Sequence, residues 1–237
     1  ADRIHRLIES NRSLTNAVAH ELRTPIFRIQ WQAEMLKDTP LSEEQEKTIE
    51  SIVEDTEEME KMVDELLYYA KLDSTELESL QQPLEIKDFL EHATTRWSKE
   101  TALSIDLYLP EHEQSIVADE TLLNRALDNL VRNAMKFART QISIEVTKHQ
   151  DQLQIAVHDD GDGVAEEHRA HLFDPFYVGD KARNKAKSGH GLGLSIVHKI
   201  CAQHHATVQI AQSPSLKGAV FIITFPLCNE AADKAIQ

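Results

Sequence analysis

Residues 1–73 contain no glycine, and their only prolines are Pro25 and Pro40. Glycine and proline are the residues that most readily interrupt a helix, so this stretch is constrained towards long, continuous helices. Ile4, Leu7, Leu14 and Val18 recur at heptad-like spacing, and Leu22, Ile26, Ile29, Ala33 and Leu36 continue in a shifted register. The shift falls at His20, where a stutter turns a side chain outward. Asp38–Ser42 reads as a turn, and Ser42 with Gln45 reads as a capping box opening a second helix. That helix carries Ile49, Ile52, Met59, Val63, Leu66 and Ala70 on one side, while its outer face from Glu43 to Glu65 is densely acidic and reads as solvated. An antiparallel hairpin with so wide an apolar seam is expected to pair with a second copy as a four-helix bundle.

The string Ala19-His20-Glu21-Leu22-Arg23-Thr24-Pro25 lies on the first helix. A carboxylate beside a histidine can take a hydrogen bond from one ring nitrogen and leave the other as a lone pair, a nucleophile towards phosphoryl groups. Thr24 stands at i+4 from His20, on the same face, and can orient a water there. Pro25 removes the N–H that would bond the Glu21 carbonyl, so a bend is expected below the site.

A formal net charge of −15 argues against nucleic acid as a partner. The basic residues that cluster, Lys181, Arg183, Lys185 and Lys187, share one short polar segment better suited to phosphate groups than to a duplex. Cys201 and Cys228 read as buried or incidental thiols of a reducing compartment. The twelve histidines show no paired ligand spacing beyond His204-His205, whose side chains diverge on a helix. No apolar run approaches the ~20 residues that cross a bilayer. With no initial Met, the chain is expected to be the cytosolic part of something longer.

After a break at Ser74–Pro83 the pattern becomes mixed. Strands are expected at 103–109, 141–148, 152–159, 207–211 and 219–225, and helices at 86–99, 120–137 and 192–204. Interleaved helices and hairpin-linked strands imply an α/β sandwich with a mixed sheet. The polar, aperiodic stretch 164–188 reads as a lid.

Three groups there suit a nucleotide. Asn129 and Asn133 stand at i and i+4 on one helix, where amide oxygens suit Mg²⁺ beside phosphates, and Lys136 can reach phosphate as a point charge. Asp159-Asp160-Gly161-Asp162-Gly163 follows an apolar strand. Its Asp159 can accept from the exocyclic amine of adenine, and Gly161 and Gly163 let backbone pass close to the base. Gly189-His190-Gly191-Leu192-Gly193-Leu194 opens a helix, where unpaired N–H groups face an anion. The spacing is neither a dinucleotide fingerprint nor a P-loop.

In order, these strings resemble the H, N, G1 and G2 boxes of sensor histidine kinases, with Phe173-Asp174-Pro175-Phe176-Tyr177 similar to the F box of the lid. The resemblance spans roughly residues 15–226. It implies a helical stem over 1–14, a dimerisation and histidine-phosphotransfer hairpin over 15–73, a linker over 74–84, a GHKL-type ATP-binding domain over 85–228 and a tail over 229–237. It implies ATP and Mg²⁺ as cofactors, with Asn133 on the metal and Phe176, Arg183, Lys187, Gly189, Gly191, Leu192 and Gly193 among the nucleotide contacts. His20 then takes the γ-phosphoryl group and passes it to an aspartate of a response regulator, which the enzyme also dephosphorylates through Thr24. Phe27, Trp31, Gln32 and Met35 are candidates for the regulator's docking surface. Membrane contact is expected through segments outside this chain, of which this is the cytoplasmic portion of a bacterial inner-membrane sensor.

Two departures stand out: Asp162 adds a carboxylate to the G1 loop, and the turn Ser215–Gly218 has one glycine where relatives often have two. Two other readings remain at this point. A related ATPase would need a glutamate four residues before the metal-binding asparagine, where this chain has Asn129, while Asp128 sits about 100° around the helix. The other is a dimeric scaffold without catalysis.

Overall fold

The computed structural model describes residues 2–72, 80–179 and 190–227. The side chains of residues 2–17 and of His20 fall outside that description, as do Lys181, Arg183, Lys185, Lys187, Gly189, Cys228 and the 229–237 tail. The chain divides into two compact units, Ala1–Leu77 and Glu78–Gln237.

The first unit is a helical hairpin of α1 (Asp2–Lys37) and α2 (Glu43–Lys71). α1 continues through Pro25. Its end is closed by Thr39, whose N–H and hydroxyl both donate to the Leu36 carbonyl, at 3.0 and 2.7 Å. The capping box forms: the Ser42 hydroxyl accepts from the Gln45 N–H at 3.3 Å, and the Gln45 amide oxygen accepts from the Ser42 N–H at 2.9 Å. Glu43, Glu44 and Glu46 occupy the first turn and Lys71 the last, which complements the helix dipole.

The apolar seam resolves into stripes seven residues apart. Ala19, Ile26 and Ala33 of α1 are buried, as are Ile49, Thr56 and Val63 of α2. Ala19, Ile26 and Val63 form the core, with Leu67 packed against it. Thr56 is a core position that an apolar reading misses. Its hydroxyl donates to the Ile52 and Val53 carbonyls at 3.0 and 2.9 Å, so burial leaves no orphaned polar atom. A second set, Leu22, Ile29 and Leu36 on α1 with Ile52 and Met59 on α2, stays exposed. Burying each such side chain is worth about 1.5–3 kcal/mol, so the hairpin leaves much of its apolar potential unused.

The second unit carries a five-stranded sheet in the order β2-β4-β5-β7-β6. Its strands are β2 (Ser104–Tyr108), β4 (Gln141–His149), β5 (Gln152–Asp159), β6 (Thr207–Gln212) and β7 (Ala219–Pro226). β2 and β4 are parallel and the other pairs antiparallel, so the sheet is mixed, as expected. Register aligns Ile144, Val157 and Phe221 across three strands, and Val146, Ile155 and Ile223 beside them. All six are buried. The helices are α3 (Ile86–Trp97), α4 (Glu120–Phe137), α5 (Glu166–Arg169) and α6 (Gly193–Gln203). α4 contributes Leu123, Leu127, Leu130 and Val131 to the core, and α6 contributes Ile196, Val197 and Ile200.

The structure corrects the expected linker. Gln82–Glu85 form β1, which pairs antiparallel with β3 (Ser115–Ala118), so residues 82–84 belong to the second unit. Leu80 and Gln81 are held there as well. The Leu80 N–H donates to Asp119 Oδ2 at 3.0 Å, and the Gln81 amide donates to the Gln203 carbonyl at 3.0 Å. Asp119 also caps α4 by accepting from the Leu122 N–H at 3.1 Å. Buried His204, at the C-terminal end of α6, accepts the Asp119 N–H at Nε2 and bonds the Ile200 carbonyl through Nδ1, at 2.9 and 2.8 Å. That histidine is structural.

Candidate functional site

Asp159 ends β5 in the row that faces the core, opposite Ile142, and it is 3% exposed. Its Oδ1 accepts the N–H groups of Gly161 and Ala219, at 2.9 and 3.1 Å. Among the described residues none donates to Oδ2, which stays available to a ligand amine. Burial pushes this carboxyl above its ordinary range, opposed by the two N–H bonds.

The loop after Asp159 fits because two residues lack side chains. A Cβ at Gly161 would lie 2.4 Å from the Phe137 carbonyl oxygen, and one at Gly218 would lie 2.3 Å from both the Asp159 carbonyl oxygen and Oδ1. Gly218, which the sequence marks only as the one glycine of its turn, is a site residue. Its position directly before the apolar strand at Ala219 was the available signal. The expected outcome of Gly218→Ala is a loss of about 1–3 kcal/mol of stability through overpacking, with a larger proportional loss of nucleotide affinity. Thermal unfolding and titration calorimetry on the same sample separate the two.

The extra carboxylate at Asp162 has a partner: it forms an ion pair with the Arg139 guanidinium. Both side chains are well exposed, so the pair adds little stability. Its consequence is that the added charge is met locally.

On α4 the two asparagines behave differently. Asn129 donates from Nδ2 to the Arg125 carbonyl at 3.0 Å, and its Oδ1 would lie 3.0 Å from a Cβ on Gly193. The glycine that opens α6 thus lets that helix start against the asparagine. The side-chain amide of half-buried Asn133 has no hydrogen-bond partner among the described residues. Lys136 lies with Nζ 5.8 Å from the centre of the Phe137 ring. Asp128 is committed elsewhere, accepting from Trp97 Nε1 at 2.7 Å and from Arg96 Nη2 at 2.5 Å. No carboxylate on this face of α4 is therefore placed to activate a water as in the related hydrolases.

Leu192 is fully buried ahead of α6, and its carbonyl accepts from the Ser195 hydroxyl at 2.8 Å. Gly191 has φ +76°, in the left-handed region that favours glycine, and a Cβ there would sit 2.6 Å from the Phe176 carbonyl carbon. The Phe176 N–H donates to the Gly191 carbonyl at 3.0 Å, so the Phe173–Tyr177 segment and the glycine string are joined through backbone. Phe176 has φ +64° and an exposed ring. Tyr177 is held by a 2.8 Å bond between its hydroxyl and His168 Nδ1, and Asp174 by one of 2.8 Å to His171 Nδ1. Arg183, Lys187 and Gly189 lie outside the described residues.

Asp159, Gly161 and Gly163, Asn129 and Asn133, and Gly191–Gly193 with Phe176 are thus brought together in the second unit. His20, Glu21 and Thr24 belong to α1 of the first. Glu21 and Thr24 are exposed, and His20 follows the fully buried Ala19. Further along α1, Phe27, Trp31 and Met35 are 65%, 60% and 58% exposed, and Gln32 is exposed beside them.

A family profile described as the histidine kinase-, DNA gyrase B- and HSP90-like ATPase matches residues 118–229, and the His kinase A (phospho-acceptor) domain matches residues 10–75. Sensor protein RstB of Escherichia coli (strain K12) is 33% identical over 231 residues, 96% of this chain and 51% of that protein. Sensor histidine kinase CpxA of the same organism is 30% identical over 230 residues, 94% of this chain and 49% of that protein. The chain spans about half the length of the curated relatives it matches. Among solved structures, full-length ShkA in complex with AMPPNP is similar with a TM-score of 0.69 and 26% identity, over 90% of this chain and 45% of that one.

Proposed function

The chain belongs to the two-component sensor histidine kinases, and from that premise we propose that it transfers the γ-phosphoryl group of ATP to its own His20 and thence to an aspartate of a response regulator. The observation that carries the proposal is the Asp159 pocket: a buried carboxylate with one oxygen tied to backbone and the other left for the adenine amine.

Asp159 reads the base, while Gly161 and Gly163 admit it. Asn129, Lys136, Phe176, Gly191, Leu192 and Gly193 would surround the phosphates; Arg183, Lys187 and Gly189, outside the described residues, are the further contacts that the family resemblance implies. Asn133 fits Mg²⁺ because its amide is half-buried and uncommitted among the described residues, and a bound Mg²⁺ would offset phosphate charge. The ATP-binding domain, whose first strand begins at Gln82, moves relative to the hairpin until the reacting atoms are in line. The free imidazole nitrogen of His20 attacks the γ-phosphorus, the bond to the ADP oxygen breaks, and Glu21 takes the imidazole proton as the N–P bond forms. Catalysis is then mainly positioning.

The hairpin, 15–73, forms a homodimer that covers the exposed Leu22, Ile29, Leu36, Ile52 and Met59 stripes. The regulator's receiver domain docks on Phe27, Trp31, Gln32 and Met35, since exposed aromatics of this size mark interfaces. No helix among the described residues is long and apolar enough to cross a membrane. The proposed setting is the cytoplasmic side of an inner-membrane sensor, reached through segments outside this chain.

Incubation with radiolabelled ATP and magnesium tests the proposal: protein-bound label must be stable in alkali and labile in acid. ATP turnover without such label would favour a hydrolase. Binding without either would leave a scaffold. Thr24→Ala is expected to keep labelling within about twofold and to slow regulator dephosphorylation by at least about tenfold, the scale of one lost water-positioning contact. Equal loss of both activities would remove Thr24 from a separate phosphatase role.

A further inference from the structure

Asp160 neighbours the base-reading carboxylate, yet its bonds run to a different element. Its Oδ1 accepts the N–H groups of Arg139 and Thr140 at 2.7 and 3.2 Å, while Oδ2 accepts the Thr140 N–H and hydroxyl at 3.0 and 2.6 Å. Arg139 and Thr140 follow directly on Ala138, the C-terminal cap of α4. One carboxylate therefore ties the end of the asparagine-bearing helix to the loop that begins at Asp159.

Two further contacts act between the same segments. Gly161 sits so close to the Phe137 carbonyl that no Cβ could enter, and Asp162 pairs with Arg139. Residues 160–162 thus meet residues 137–140 at three consecutive points. Burial raises the Asp160 carboxyl, but the Thr140 hydroxyl and the N–H groups of Arg139, Thr140 and Gln141 outweigh it and hold the group at about 2. It is ionised at every working pH.

We propose that Asp160 is a positioning residue for nucleotide binding, holding the Asp159 loop in fixed register against α4 so that base and phosphate recognition are spaced for one ligand. The inference rests on the nucleotide reading of this pocket. Asp160 and Thr140 lie near solvent, so the freed N–H groups can turn to water when the carboxylate is removed. The register is then what loosens.

The test uses the full chain, with initial rates of self-labelling measured against ATP concentration and ATP binding measured by calorimetry. Asp160→Ala is expected to raise KM and Kd by about tenfold with kcat within about twofold, because ground-state and transition-state binding weaken together. Asp160→Asn is expected to recover part of the loss: its amide oxygen, in place of Oδ1, still accepts the Arg139 and Thr140 N–H groups, and its amide nitrogen, in place of Oδ2, can donate to the Thr140 hydroxyl, although it also faces the Thr140 N–H. Thr140→Val should cost about threefold in KM and add nothing to Asp160→Ala, as members of one network do. An unchanged KM in Asp160→Ala overturns the inference. So does a fall in kcat and thermal stability that Asp160→Asn fails to restore. If the unsubstituted chain binds no ATP, the nucleotide reading falls first, and this inference with it.

Discussion

His20→Gln is expected to abolish acid-labile phosphate on the protein, by at least about 10³-fold, while ATP affinity stays within about twofold. A glutamine amide is close to histidine in size and polarity, but its nitrogen lone pair is delocalised into the carbonyl and cannot attack phosphorus. The separation of the two effects follows from the fold. His20 belongs to α1 in the unit Ala1–Leu77, while the residues proposed to hold the nucleotide lie between Asn129 and Gly193 in the unit Glu78–Gln237. Quantifying label per protomer beside calorimetric ATP binding checks both halves. Residual label at another residue would relocate the phosphoacceptor, and a parallel loss of ATP affinity would contradict the assignment of binding to the second unit.

Asp159→Asn is expected to act in opposite directions on stability and on binding. The amide oxygen can still accept the Gly161 and Ala219 N–H groups, so the loop keeps its shape. What changes is the atom presented to the base, where a donor now meets the adenine amine in place of an acceptor. ATP affinity should fall about 100-fold or more, the size of a lost charge-assisted hydrogen bond plus an unpaired donor. Stability should rise at neutral pH. Burial holds the Asp159 carboxyl above its ordinary value, so between that value and the folded one the native state binds more protons than the unfolded chain. The charged form therefore costs stability, a cost absent in acid and fully present once pH exceeds the folded value. An uncharged amide escapes it. Thermal unfolding at pH 4 and pH 7 should show the variant's advantage growing with pH, and unchanged ATP affinity would remove Asp159 from base recognition.

Much of this architecture is legible in the chain because its signals are local and periodic. The capping box at Ser42 and Gln45, the long helices and the mixed sheet follow from spacing within a few residues. The β1–β3 ladder was missed because its strands are four residues each: β1 is mostly exposed and carries a proline, and β3 alternates over too few residues to stand out. Thr56 in the hairpin core was missed because a hydroxyl that satisfies itself on its own helix carries no apolar mark. The roles of Gly218 and Arg139 were missed for another reason. Each answers a demand made by a residue distant in sequence, steric from Asp159 in one case and electrostatic from Asp162 in the other. The exposed stripe at Leu22, Ile29 and Leu36 could be listed from periodicity, but which of two adjacent stripes faces α2 depends on how the helices roll together.

The joint between Asp119 and His204 gives α6 the mechanics of a lever. Its far end is pinned by the bond from the Asp119 N–H to the imidazole, while its near end, Gly193, meets Asn129. Eleven residues make an arm of about 16 Å, so a tilt of about 5° at the pin sweeps the tip through roughly 1.4 Å. Displacements of that order cost catalysts about two powers of ten in rate. A fault at the fulcrum, remote from any phosphate, would therefore be felt most at the glycine tip.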